Sequence, residues 1–282
     1  MSRQRGIIGV AAGAICFSTV IIFSRLTQGL EGGALAFFRT FFAFLFFLCL
    51  QALPGTRIHR PPRATWGLLS GLGLAVGVSA LLYIYAIRHT TAANAALLIN
   101  TSAVYVALLA PWLLHESPQR YRWPGLILAM LGVIGLVAPA GLDLRTGDWT
   151  GLLAGILSGG TYAATMLFSR ALRSRVDSHT QTFWSTALAA LLLLPWGLQS
   201  SPEAFLANLP LLIPLGVISL GLAYWLYFTG LQAVPAQIVS LIALLEPLSG
   251  VLIGLFIFNE IPTPIGALGS LCILAGIYLI TR

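Results

Sequence analysis

Apolar residues run along this chain in stretches of about 20, the length a helix needs to cross a bilayer. The stretches cover 6–28, 33–53, 65–87, 91–113, 122–139, 149–172, 179–197, 209–231, 235–258 and 263–281. Between them stand Pro54-Gly55, Pro61-Pro62, Pro118, Pro139 to Gly147, Ser200-Ser201-Pro202 and Pro262, residues that end helices. The pattern predicts an all-α polytopic membrane protein of ten transmembrane helices.

The chain also repeats itself. Gly6 to Arg25 reads GIIGVAAGAICFSTVIIFSR, and Gly151 to Arg170 reads GLLAGILSGGTYAATMLFSR. Phe23-Ser24-Arg25 recurs as Phe168-Ser169-Arg170, 145 positions on (168 − 23). Glu116, Pro118, Gly125 and Gly132 recur as Glu260, Pro262, Gly269 and Gly276, each 144 on. Five spans separate one copy from the next. Five is odd, so the second copy enters the membrane from the other side. This predicts two inverted-topology five-helix repeats, 1–139 and 149–282, joined by an extracytoplasmic linker at 140–148. Inverted repeats with a site between them are characteristic of secondary transporters.

Charge sets the expected orientation. With the N-terminus inside, eleven arginines fall on the cytoplasmic side: Arg3, Arg5, Arg57, Arg60, Arg63, Arg120, Arg122, Arg170, Arg173, Arg175 and Arg282. Arg25, Arg88 and Arg145 fall outside, and Arg39 lies within the second span. Eleven against three predicts that both termini are cytoplasmic. Charged residues are only 8% of the chain, which leaves no soluble domain, and the net charge of +7 reflects loop bias rather than nucleic-acid binding. Cys16, Cys49 and Cys272 lie inside spans, so no disulfide framework is expected. The basic, apolar N-terminus could pass for a signal peptide, but it has a full partner in the second half and is expected to be retained.

The chain resembles the EamA-like branch of the drug/metabolite transporter superfamily over almost its whole length. The resemblance rests on Tyr85-Ala86 followed by Thr90-Thr91-Ala92-Ala93-Asn94-Ala95-Ala96, and on His115-Glu116-Ser117-Pro118, in the first half. In the second half it rests on Tyr227, Ala233-Val234-Pro235-Ala236, Leu245-Glu246-Pro247-Leu248 and Asn259-Glu260-Ile261-Pro262. The first half departs from the pattern, with Ser102-Ala103 where the second has Glu246-Pro247. The sequence looks most like the YddG-type exporters of aromatic and other amino acids. The resemblance implies a metabolite exporter working without a cofactor.

Polar residues inside spans are functional candidates. Asn94, Leu98, Thr101 and Tyr105 share one face of the fourth span, and Gln237, Ser240, Leu241 and Leu244 share one face of the ninth. The two faces occupy matching repeat positions and are expected to line a central cavity; interhelical hydrogen bonding is the plainer reading. Tyr83, Tyr162 and Tyr224 are candidates for an aromatic wall, with packing or an interfacial belt as the alternative. Glu246 is the one carboxylate well inside a span. It serves either proton coupling or ammonium recognition, or else a structural role beside the Pro247 kink. A straight helix at 100° per residue puts it about 180° from Gln237, which favours the structural role. Arg39 either snorkels to the surface, the favoured reading, or faces an anion in an outward cavity.

No metal spacing, nucleophile elbow, phosphate loop or dinucleotide fingerprint is present, so no enzyme, metal or cofactor is expected. The expected partners are a small-molecule substrate, an amino acid or related metabolite, and the lipid bilayer. The expected function is export of small metabolites, foremost amino acids, by alternating access. A carrier of another metabolite or drug is the rival within the class. An intramembrane lipid-modifying enzyme is the rival outside it, and Glu246 has no acid/base partner in its own span.

Overall fold

The computed structural model describes residues 2–52, 58–90, 92–140 and 149–281. Most of the expected linker and Arg57, Thr91, Asp143, Arg145 and Arg282 lie outside the described residues.

The described residues are helical, with no strand among them. Ten membrane-length elements follow in order: α1 (Arg3–Leu26), α2 (Gly32–Leu50), α3 (Trp66–His89), α4 (Ala92–Asn100 and Ser102–Leu113), α5 (Arg122–Val137), α6 (Trp149–Ala171), α7 (Ser178–Leu198), α8 (Pro202–Ala233), α9 (Ala236–Phe258) and α10 (Pro264–Thr281). Eight are long and apolar enough to span a bilayer by composition alone. The other two are α5, a shorter apolar helix of 16 residues, and α7, whose first turns are polar. Those turns are not exposed to lipid. Ser178, Thr180, Gln181, Thr182, Ser185 and Thr186 are buried, and Asp177 caps the helix by accepting from the Thr180 amide at 3.0 Å.

Both ends of the described chain lie on one face, where Arg3 donates to the carbonyl of Thr281 at 3.1 Å. We call this the terminal face. Helix α1 packs along α8, α3 along α6, α2 along α7 and α5 along α10.

These pairings carry the repeat into space. A Cβ on Gly6 would meet Val234, and one on Gly151 would meet His89; the two pairs differ by 145 at both positions (151 − 6, 234 − 89). Gly13 backs onto Ala223, while Ser158 accepts through its carbonyl from Ser79, offsets of 145 and 144. Between α5 and α10, Gly125 abuts Gly276 and Gly132 abuts Gly269. Adding 144 to the first pair's Gly125 and subtracting it from Gly276 yields the second pair. Small residues let the helix backbones meet where lipid supplies no hydrophobic drive.

Four helices depart from regularity, and α4 does so at Thr101, between its two segments. Helix α1 is interrupted at Thr19, whose hydroxyl donates to the carbonyl of Cys16. Helix α9 is interrupted at Ala243 and Leu244. Helix α8 widens into a π-helical stretch over Val217–Leu222. Pro210 and Pro214 precede that stretch and remove two amide donors from the ladder, a recognised cause of such local rearrangement.

Candidate functional site

Five helices bring charged and aromatic side chains to the centre of the molecule. Arg39 of α2, Tyr83 of α3, Tyr162 of α6, Tyr224 of α8 and Glu246 of α9 lie within electrostatic reach of one another. Arg39, Tyr83, Tyr162 and Glu246 are each only partly buried, and Tyr83 and Tyr162 also pack against the apolar core. Tyr224 and Tyr227 are buried behind them and stand edge-on to Phe17, with ring centres 4.9 and 5.9 Å away. Tyr83 and Tyr227 are repeat mates (227 − 83 = 144), as are Phe17 and Tyr162 (162 − 17 = 145). The aromatic wall is therefore two-fold in character, whereas Arg39 and Glu246 each occur in one half only.

The π-helical stretch positions the arginine. Arg39 donates through Nε to the Ser219 hydroxyl at 3.2 Å and through a terminal nitrogen to the Ser219 carbonyl at 2.5 Å. Ser219 lies in the middle of that stretch and is fully buried. A widened turn moves carbonyls out of the regular ladder, and here one of them is offered to a guanidinium. Arg39 thus points into the bundle rather than along its stem to the surface. The Glu246 carboxylate has no hydrogen bond or ion pair among the described residues. The Tyr227 hydroxyl, the Trp184 indole N–H and the Gln232 amide nitrogen are buried without a hydrogen-bond partner. Unpaired buried donors are uncommon and call for a ligand, a water or a second conformation.

The remaining sequence candidates sit elsewhere along α4 and α9. Asn94 is fully buried near the start of α4 and donates to the Thr90 hydroxyl at 2.6 Å. Thr101 stands at the α4 interruption against Gly159 and donates to the carbonyl of Leu98. Tyr105 is partly buried and faces Gly160. Gln237 is fully buried at the terminal face, bonded at 3.4 Å to the amide of Gln119 and the carbonyl of Ser117. Ser240 is buried and donates to the carbonyl of Gln237. Tyr83, Tyr162, Tyr224 and Glu246 come together at the centre, joined by Arg39 and Tyr227; Asn94 and Gln237 lie toward opposite ends.

Two ion pairs flank this centre. On the terminal face, Arg170 donates to Glu116 at 2.6 Å, with side chains 9% and 6% exposed. On the opposite face, Arg25 meets Glu260 at 2.5 Å, with side chains 46% and 54% exposed. Among the described residues no group of three or more His, Cys, Asp or Glu could hold a metal.

The EamA-like transporter family matches this chain twice, over residues 4–138 and 149–282. An uncharacterized transporter of Archaeoglobus fulgidus is 30% identical over 280 residues, covering 98% of this chain and 96% of its own. An uncharacterized transporter of Bacillus subtilis, YwfM, is 27% identical over 71% of this chain and 68% of its own. A biotin transporter of Escherichia coli K12 is 28% identical over 82% of this chain and 79% of its own. A solved crystal structure covers 100% of this chain and 97% of its own with a TM-score of 0.86 at 17% identity, a likeness of fold.

Proposed function

This chain belongs to the EamA-like transporter family, within the drug/metabolite transporter superfamily, and from that premise we propose that it exports amino acids, aromatic ones included, across the bacterial inner membrane by alternating access. The observation that carries the reading is the placement of Arg39 and Glu246 across one partly buried, tyrosine-lined centre. A guanidinium pairs with a carboxylate, and a carboxylate pairs with an ammonium. A zwitterion offers both, and a wall of tyrosines favours a flat or apolar side chain. Asn94, Thr101, Tyr105, Gln237 and Ser240 form the polar path along α4 and α9 that the substrate follows as each face opens. The repeats 1–139 and 149–282 are the two moving bodies, with 140–148 joining them outside.

The arginines support cytoplasmic termini. Among the described residues the terminal face carries Arg3, Arg5, Arg60, Arg63, Arg120, Arg122, Arg170, Arg173 and Arg175, and the opposite face carries Arg25 and Arg88.

A second reading is supported by the relative named a biotin transporter. A carboxylate cargo without an ammonium would engage Arg39 and leave Glu246 unused. Uptake into liposomes holding the purified protein separates the two. A radiolabelled panel of amino acids plus biotin, with and without a pH gradient, is expected to show saturable uptake of zwitterions. Saturable uptake of biotin with none of any amino acid would overturn the amino-acid reading.

A further inference from the structure

The two ion pairs that flank the centre are built from repeat mates. Glu260 is Glu116 plus 144, and Arg170 is Arg25 plus 145. Each glutamate directly follows the residue that ends its helical half-domain's fourth span, His115 after α4 and Asn259 after α9. Yet the pairs stand in different surroundings. Glu116 and Arg170 are all but enclosed, whereas Arg25 and Glu260 are about half exposed.

The enclosed pair does more than neutralise two charges. Glu116 accepts through its second oxygen from the amide of Ala236 at 2.9 Å, the first residue of α9. Arg170 donates to the carbonyl of Leu231 at 2.6 Å, in the last turn of α8. Amides at a helix start and carbonyls at a helix end lack partners inside their own helix. One carboxylate and one guanidinium therefore complete the end of α8 and the start of α9, and draw both onto α6 and the α4–α5 turn. Arg173 adds a third charge at 3.6 Å from Glu116. Together these contacts tie α6, α8, α9 and the α4–α5 turn to one another at the terminal face, beside Gln237.

Subtracting 144 from Leu231 and Ala236 gives Ile87 and Ala92. Ile87 lies in the last turn of α3, and Ala92 is the first residue of α4. The opposite face therefore holds the same helix end and helix start, and an Arg–Glu pair of the same origin.

The geometry points to Glu116–Arg170 and Glu260–Arg25 being two copies of one latch that close in alternation. In the conformation seen here the terminal latch is closed and its mate is assembled but not seated. In the other conformation Glu260 accepts from the amide of Ala92, Arg25 donates to the carbonyl of Ile87, and Glu116 and Arg170 become solvated. Desolvating a paired carboxylate and guanidinium is costly unless helix ends supply further bonds, so one latch at a time is seated as the halves rock. The inference rests on the alternating access proposed above.

Spin-label distances in the full-length protein test it, with Cys16, Cys49 and Cys272 replaced by serine. One label pair, Ser117→Cys with Ser174→Cys, reports the terminal face. The other, Ile87→Cys with Ile261→Cys, reports the opposite face. Glu116→Gln is expected to lengthen the first distance and shorten the second, raising the alternate population by about threefold or more. Adding Glu260→Gln is expected to remove that gain, because the second latch then cannot seat. A merely loosened fold would broaden both distances with no shortening, and that result overturns the proposal. So does a shortening that persists without Glu260. Distances that exchange while no amino acid is transported would uphold the latch and reject the cargo reading. Amino-acid transport with distances blind to Glu116→Gln would do the reverse.

Discussion

His115 and Asn259, 144 residues apart, are the two non-glycine residues with positive φ among the described residues, at 53° and 56°. Each ends a helix in the left-handed region, and just past Asn259 the amide of Glu260 donates back to the carbonyl of Gly254 at 2.9 Å. The reversal aims the following glutamate back toward the bundle. Asn and His tolerate this conformation better than β-branched residues do. Asn259→Val is expected to lower stability by about 1–2 kcal/mol, and Asn259→Gly to leave it nearly unchanged. Thermal unfolding of the detergent-purified variants measures both.

The two ion pairs are expected to respond unequally to loss of their arginine. Arg170→Ala leaves Glu116 buried beside a helix start and should cost about 3–5 kcal/mol. Arg25→Ala removes a half-exposed partner and should cost about 0–1 kcal/mol. Equal losses in thermal or denaturant unfolding would contradict the difference in burial.

Central charges are expected to matter for transport rather than for folding. Arg39→Ala and Glu246→Gln should each reduce amino-acid uptake by about tenfold or more at equal protein levels, the scale of one charge-assisted bond. Asn94→Ala and Gln237→Ala should weaken transport more than membrane insertion. The readout is initial uptake rate normalised to protein in the membrane; full wild-type rates in the Arg39 and Glu246 variants would move the site elsewhere.

Orientation has its own test. Asp143→Cys, in the linker, should react with a membrane-impermeant thiol reagent in intact cells, and Arg173→Cys should not. The reverse labelling would invert the topology expected from the arginine distribution.

The architecture was legible in the sequence because a bilayer imposes a long, nearly uninterrupted apolar run on every span. Expected and observed limits agree within a few residues for most helices, as for 33–53 against Gly32–Leu50 and 149–172 against Trp149–Ala171. Helix α8 starts earlier than its apolar run, at Pro202, because Ser201 caps it by accepting from the amide of Ala204. The centre was less legible. The angle between Gln237 and Glu246 assumed one straight helix, but the interruption at Ala243 and Leu244 puts them on separate segments, Ala236–Ile242 and Leu245–Phe258. The snorkelling expected of Arg39 fails because nothing local in sequence announces that a π-helical stretch 180 residues later offers it a carbonyl. The flanking ion pairs did have a signal. Both offsets, 144 for the glutamates and 145 for the arginines, stand in the sequence, and pairing them across the halves would have found both contacts.

The glycine seam between α5 and α10 differs in kind from the α1–α8 and α3–α6 contacts. Exchanging the two halves turns Gly125–Gly276 into Gly269–Gly132, so the operation returns the seam to itself. A contact with that property has no inward version and no outward version. The α1–α8 and α3–α6 contacts instead exchange places with one another, and their shapes can differ. On the alternating-access reading, the α5–α10 seam is therefore the axle on which the two repeats turn, a contact equally distant from both end states.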